Sequence, residues 1–137
     1  MSSKEIVLVS ACLAGLQTRY DNRIAASPNC LERLARTHWI PVCPEQLGGL
    51  ATPRCAADII DGTGSDVLKG RARVICRDGS DVTEAFIKGA MQVLDIARRQ
   101  RITTVILKSR SPSCGVNKQG VTAALLEQHG ITLEEFD

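Results

Sequence analysis

The sequence predicts an α/β layer fold with a mainly parallel sheet, and three observations carry that expectation. Short apolar runs at Ile6-Val7-Leu8-Val9, Trp39-Ile40-Pro41-Val42 and Thr103-Thr104-Val105-Ile106-Leu107 read as buried strands. Stretches with helical spacing alternate with them. Each run also ends near a loop that carries one cysteine beside glycine: Cys12 with Gly15, Cys43 with Gly48-Gly49, and Cys114 with Gly115. Right-handed crossovers put the ends of parallel strands along one sheet edge, where open α/β sheets bind ligands.

The elements follow in order. After Ile6–Val9 comes a loop with Cys12, Gly15 and Tyr20-Asp21-Asn22. Ser27-Pro28 starts a helix, with serine as N-cap and proline at the first helical position. Leu31, Leu34 and Ala35 continue it to about residue 37. The strand at 39–42 is broken by Pro44 and Gly48-Gly49. Between 51 and 79, Val67-Leu68 and Arg71–Cys76 read as a short hairpin or edge pair, closed by the turn Arg77-Asp78-Gly79. Asp61-Gly62-Thr63-Gly64 reads as a plain turn, because it lacks the Lys-Ser/Thr of a P-loop and the glycine spacing of a dinucleotide site.

Asp81-Val82-Thr83-Glu84 resembles a capping box that opens a helix from 82 to about 100. Val82, Phe86, Ala90, Val93 and Ala97 form its apolar stripe, and Arg98, Arg99 and Arg101 suit the negative end of its dipole. A strand over 103–107 precedes Ser109-Arg110-Ser111-Pro112-Ser113-Cys114-Gly115. A last helix spans about 119–129, with Gly130 ending it. The expectation is a single three-layer, Rossmann-like domain over residues 1–137.

Composition bounds the function. The chain has 137 residues, 44% of them hydrophobic, enough for a core. No apolar run approaches the ~20 residues of a membrane helix. Met1-Ser2-Ser3-Lys4-Glu5 lacks the basic segment of a secretory leader, so a cytoplasmic setting is expected. Seventeen basic and fifteen acidic residues give a net charge of +2, too balanced for a large nucleic-acid footprint. The oligomeric state is left open.

Six cysteines in a reducing compartment point to catalysis, metal binding or burial before disulfides. No CxxC pair is present, so zinc ribbons and thioredoxin-type sites are poor matches, and His38 and His129 have no ligand-spaced partner. Cys12, Cys43 and Cys114 share a strand-end context. Metal or cluster ligation and burial as small hydrophobes both stay open for them. Cys30 belongs to the first helix as core, Cys76 alternates with Val74 in a strand, and Cys55 follows Pro53-Arg54; a structural role is the simpler reading for these three.

Several motifs together resemble the small bacterial thiouracil desulfidase family. They are Ser10-Ala11-Cys12-Leu13, Tyr20-Asp21, Cys43-Pro44-Glu45-Gln46-Leu47-Gly48-Gly49-Leu50, Pro53-Arg54, Asp81-Val82-Thr83, Phe86–Ala90, Leu107-Lys108, Ser111–Gly115 and Gly120–Leu126. The resemblance implies a [4Fe–4S] cluster held by Cys12, Cys43 and Cys114. It implies removal of sulfur from a thiopyrimidine substrate, giving uracil-type products and hydrogen sulfide. Glu45 and Ser111 match positions that take part in the chemistry, with Ser113 as a further candidate. One departure is visible. After Pro53-Arg54 the family usually has proline, a small residue and glutamate, and here Cys55-Ala56-Ala57-Asp58 stand.

A cluster normally takes four thiolates, so three leave one iron open as a Lewis acid suited to soft sulfur. Glu45 would take a proton from water or give one to ring nitrogen, with no net electron transfer. Arg54 and Lys108 are candidates to hold a substrate phosphate by charge. Two other classes remain: an iron–sulfur redox or sensor module, and a zinc-binding structural domain.

Overall fold

The computed structural model describes residues 4–137; Met1–Ser3, read above for a leader, lie outside them. Four parallel strands make the central sheet: β1 (Ile6–Ser10), β2 (His38–Val42), β5 (Thr104–Lys108) and β6 (Thr132–Phe136), in the order β2-β1-β5-β6. β3 (Ala57–Ile60) and β4 (Arg73–Cys76) form a separate antiparallel ribbon. The helices are α1 (Pro28–Leu34), α2 (Pro44–Leu47), α3 (Gly64–Leu68), α4 (Thr83–Arg99) and α5 (Val121–Gln128). No described helix is long and apolar enough to cross a membrane.

The sheet is buried on both faces, which is why its inner strands read as continuous apolar runs. Val7, Val9 and Ile106 face one way and pack with Leu13, which follows β1, and with Cys30 and Leu34 of α1. Leu8, Val105 and Leu107 face the other way, against Phe86, Ala90 and Val93 of α4 and Val121 and Leu125 of α5. Three layers result. β2 is an edge strand, so it tolerates Pro41, which cannot donate to a ladder.

The order of the strands sets the site. The chain leaves the centre at β1 for β2, then returns on the other side of β1 as β5. β1 and β5 are therefore neighbours whose connections run to opposite sides, a topological switch point. Leu8 pairs with Val105 and Val9 with Ile106, so the loops after Ser10 and after Lys108 leave side by side.

Several local expectations are corrected. β6 was not anticipated at all. Val67-Leu68 belong to α3 and not to a hairpin; the partner of β4 is β3. Asp61–Gly64 is more than a turn, because Thr63 caps α3 in a full capping box with Asp66. The box expected at Asp81 does not close. Asp81 Oδ1 instead accepts from both Thr83 N and Thr83 Oγ1, which moves the helix start to Thr83. The break expected after Pro44 is the one-turn helix α2. α1 is shorter than expected, ending at Leu34, with Ser27 Oγ accepting from Cys30 N as its cap. Gly130, at φ +76°, ends α5 with its N–H on Glu127 O and that of Ile131 on Leu126 O.

Candidate active site at the switch point

Three loops leave the carboxyl edge of the sheet and enclose a cavity of about 390 Å³. Cys12, Cys43, Glu45, Arg54, Lys108, Ser111, Ser113 and Cys114 all line it, so every site residue singled out in the sequence reaches one space. Cys12 arrives on a one-turn 3-10 helix (Ala11–Ala14), which Gly15 closes at φ +93°. Cys43 sits at the start of α2 and places Glu45 in its first turn. Cys114 ends the loop after β5.

Glu45 is held from two sides. Its Oε1 accepts from Arg54 Nε at 2.9 Å and its Oε2 from Ser113 Oγ at 3.1 Å. Arg54, expected as a phosphate-binding cation, is only 9% exposed at its side chain. Its other nitrogens donate to Thr18 O, Ala51 O and Thr52 Oγ1, and Nη2 also lies 3.8 Å from Cys43 Sγ. The guanidinium is thus committed to the protein and orients the Glu45 carboxylate. Lys108 keeps one protein acceptor among the described residues, Ser109 O.

The hydroxyl directions in the Ser111–Cys114 loop follow from counting donors. Ser111 Oγ accepts from Ser113 N at 3.2 Å and Cys114 N at 3.1 Å. Its acceptor capacity is then filled, so its own proton goes to Ser113 Oγ, 3.0 Å away. Ser113 is left with its proton for Glu45 Oε2. A directed line of hydrogen bonds results, Ser111 to Ser113 to Glu45, passing beside Cys114 Sγ, which is 3.6 Å from Ser113 Oγ.

The three thiols are held neutral by their surroundings. Burial pushes the Cys114 thiol up to about 12, and the neighbouring Ser10 and Ser113 hydroxyls act the other way. Burial also raises Cys12, opposed by Lys108, and raises Cys43, opposed by the Gln46 N–H and Arg54. One buried and two half-buried thiols gathered on one cavity, without disulfides, are a donor set for a thiophilic cation centre. They are not close enough for a single ion. The group of described donors that lie within 4.8 Å of one another is a different one, Cys55, Cys76 and Asp78. A cluster, whose thiolates attach to separate irons, fits the wider set.

Two other cavity residues, Thr18 and Arg19, gave no sequence signal of their own. Arg19 bonds Asp21 through Nε and Nη2, and Thr18 reaches the site through its carbonyl. Ser10 Oγ accepts from Lys108 N and ties the ends of β1 and β5 together. Cys30 is buried against the far face of the sheet, and His38 and His129 are exposed away from the cavity.

Comparisons with known proteins show what the chain as a whole is similar to. A family model described as 2-thiouracil desulfurase matches residues 7–136. The uncharacterized protein YbbK of Bacillus subtilis (strain 168) is 42% identical over 138 residues, covering 91% of each chain. The solved structure of the [4Fe–4S]-dependent thiouracil desulfidase TudS matches with a TM-score of 0.80 at 36% identity, over 96% of this chain and 91% of that one.

Proposed function

The chain belongs to the 2-thiouracil desulfurase family, and from that premise we propose that it is a [4Fe–4S]-dependent desulfidase that hydrolyses thiouracil compounds to uracil-type products and hydrogen sulfide. The observation that carries the reading is the line Ser111–Ser113–Glu45–Arg54, which ends on a cavity lined by three unpaired thiols. The similarity to a [4Fe–4S]-dependent thiouracil desulfidase supports the same cofactor here.

Cys12, Cys43 and Cys114 would hold the cluster as thiolates, giving up their three protons to bind it. When bound, the cluster supplies one iron without a protein thiolate, a Lewis acid for the soft thiocarbonyl sulfur. Glu45 takes a proton from the water that adds to the ring carbon. Arg54 keeps that carboxylate aimed. Once Glu45 carries the proton, Ser113 accepts from it and gives its own proton to the departing sulfur, and Ser111 anchors the Ser113 hydroxyl beside the carboxylate. The sum is C=S plus H₂O giving C=O plus H₂S, with no change in electron count. Lys108, the less committed cation on the cavity wall, is the candidate for an anionic group of the substrate.

The test is anaerobic. Cys12→Ala, Cys43→Ala and Cys114→Ala should each lose the cluster iron, while Cys30→Ala keeps it. Glu45→Gln should keep the iron and still bind 2- or 4-thiouracil compounds, yet turn over ~10²–10⁴ times more slowly, the usual loss for a missing general base. An iron-replete Glu45→Gln within about threefold of the parent rate would remove Glu45 from the chemistry. A cluster retained in Cys43→Ala would sink the ligand assignment.

A further inference from the structure

The ribbon of β3 and β4 carries a second donor set that the desulfidase reading does not use. In its register Ala57 pairs with Cys76 and Asp58 with Ile75. Arg77 N donates to Ala56 O at 2.9 Å, so the pairing runs one residue past the strand ends, where the turn closed by Gly79 N on Cys76 O carries Asp78. Cross-strand partners share a face, as do residues two apart on one strand. Cys55, two residues from Ala57, therefore shares a face with Cys76, and the donor atoms of Cys55, Cys76 and Asp78 all lie within 4.8 Å of one another. Ala56, Ala57, Asp58 and Arg77 of the same ribbon line the active-site cavity. The triad sits at the end of the ribbon beside the cavity, and none of its three members lines that cavity.

The geometry points to a separate site for one thiophilic divalent cation of the zinc class, bound by Cys55, Cys76 and Asp78. Zinc bonds of ~2.3 Å to sulfur in a tetrahedron place two thiolates about 3.8 Å apart, within reach of the present spacing. The carboxylate is preset. Ser80 donates to Asp78 Oδ1 from both its N–H and its hydroxyl, at 2.9 and 2.6 Å, and among the described residues no protein group donates to Oδ2. The turn that carries it is fixed by Gly79 N on Cys76 O and by Cys76 N on Ser80 O. Both thiols are half-buried and free of disulfides. A cation would displace their two protons and take water as a fourth ligand. It would also pin Cys55, the residue after Arg54, to the end of the ribbon.

The site stands independently of the desulfidase reading, and the probe is Zn²⁺ alone. Cluster-loaded protein is equilibrated anaerobically with buffered micromolar Zn²⁺, and zinc and iron are counted per chain. One zinc at unchanged iron is expected, with an X-ray absorption spectrum showing two sulfur ligands. Cys55→Ser should lose the zinc. Asp78→Asn, an exposed substitution that leaves the fold alone, should weaken it at least about tenfold, the lower end of what an outer-shell change costs a metal site. No zinc retained, zinc that survives Cys55→Ser, zinc gained only as iron is lost, or a Cys55–Cys76 disulfide in the anaerobic protein would each overturn the assignment.

Discussion

Two loops meet at the hydrogen bond between Glu45 and Ser113, and they are held by different means. The Cys43–Gly49 loop is positioned by shape. Its helix α2 lies so close on α4 that a Cβ added at Gly89 would overlap the carbonyl oxygen of Pro44, and one at Gly48 would overlap that of Ala85. The Ser111–Gly115 loop is positioned by hydrogen bonds. Ser111 Oγ takes two backbone N–H groups, and Glu135 on β6 takes those of Val116 and Asn117 at 2.6 and 3.2 Å. A steric contact fails abruptly when one atom is added. A bonded loop loosens in steps as its acceptors are removed.

Gly89→Ala should break the comparison hardest. Alanine in mid-helix is ordinarily worth 0.5–1 kcal/mol over glycine. Here the new methyl meets backbone that cannot turn aside, and overpacking of that kind costs about 3 kcal/mol or more. The expected result is a lower melting temperature with loss of bound iron, because α2 and Cys43 are pushed off together. Met91→Ala, on the exposed side of α4, is the control and should change neither. Gly89→Ala with parental stability and full iron would show that α2 is free to slide.

The same contrast explains how much the sequence revealed. β1 and β5 were legible because both their faces are buried, and α4 because its stripe Phe86, Ala90, Val93 and Ala97 is continuous. The site motifs were legible because each sits where a strand ends. β6 was hidden by Glu134 and Glu135, which interrupt its apolar pattern. Their charges are met by distant groups, Arg33 on α1 for Glu134 and the 116–117 amides for Glu135, and no local rule shows such partners. α3 was hidden because Gly62 and Gly64 read as a turn, although Gly64 is there to let α3 approach the Gly120 carbonyl at the start of α5. The pair of Arg54 with Glu45 was missed for a related reason. Charge alone does not say whether an arginine faces substrate or a neighbouring carboxylate.

Ser111→Ala should have the next largest effect, and it separates positioning from packing. It deletes no bulk that the core needs. It leaves the N–H groups of Ser113 and Cys114 without an acceptor, at about 1–3 kcal/mol for each buried donor. It also frees the Ser113 hydroxyl to turn away from Glu45. Turnover should fall roughly ten- to hundredfold, the scale of a small misplacement at a reacting centre. Iron content should stay near the parent value, because Cys114 is still anchored by the contact of its loop with Gly120. A Ser111→Ala protein with full activity would mean that Ser113 keeps its direction without help.

Glu135→Gln is the mildest change and the sharpest probe of the bonded loop. The carboxylate accepts three donors, from Val116 N, Asn117 N and Asn117 Nδ2 at 2.9 Å, and a glutamine can keep only those that its single oxygen faces. The loss should be about 1–2 kcal/mol, less than for Ser111 because Asn117 is exposed and water can replace part of what is removed. The loop should then open more often without leaving its place. Hydrogen exchange should report this as faster exchange at the Val116 and Asn117 amides, with the Leu47 and Gly48 amides of α2 unchanged, since that loop is held from α4. Asn117→Ala removes only the side-chain bond and should shift exchange less. Equal acceleration in both loops would show that they move as one unit, and the division between a loop held by shape and a loop held by hydrogen bonds would not stand.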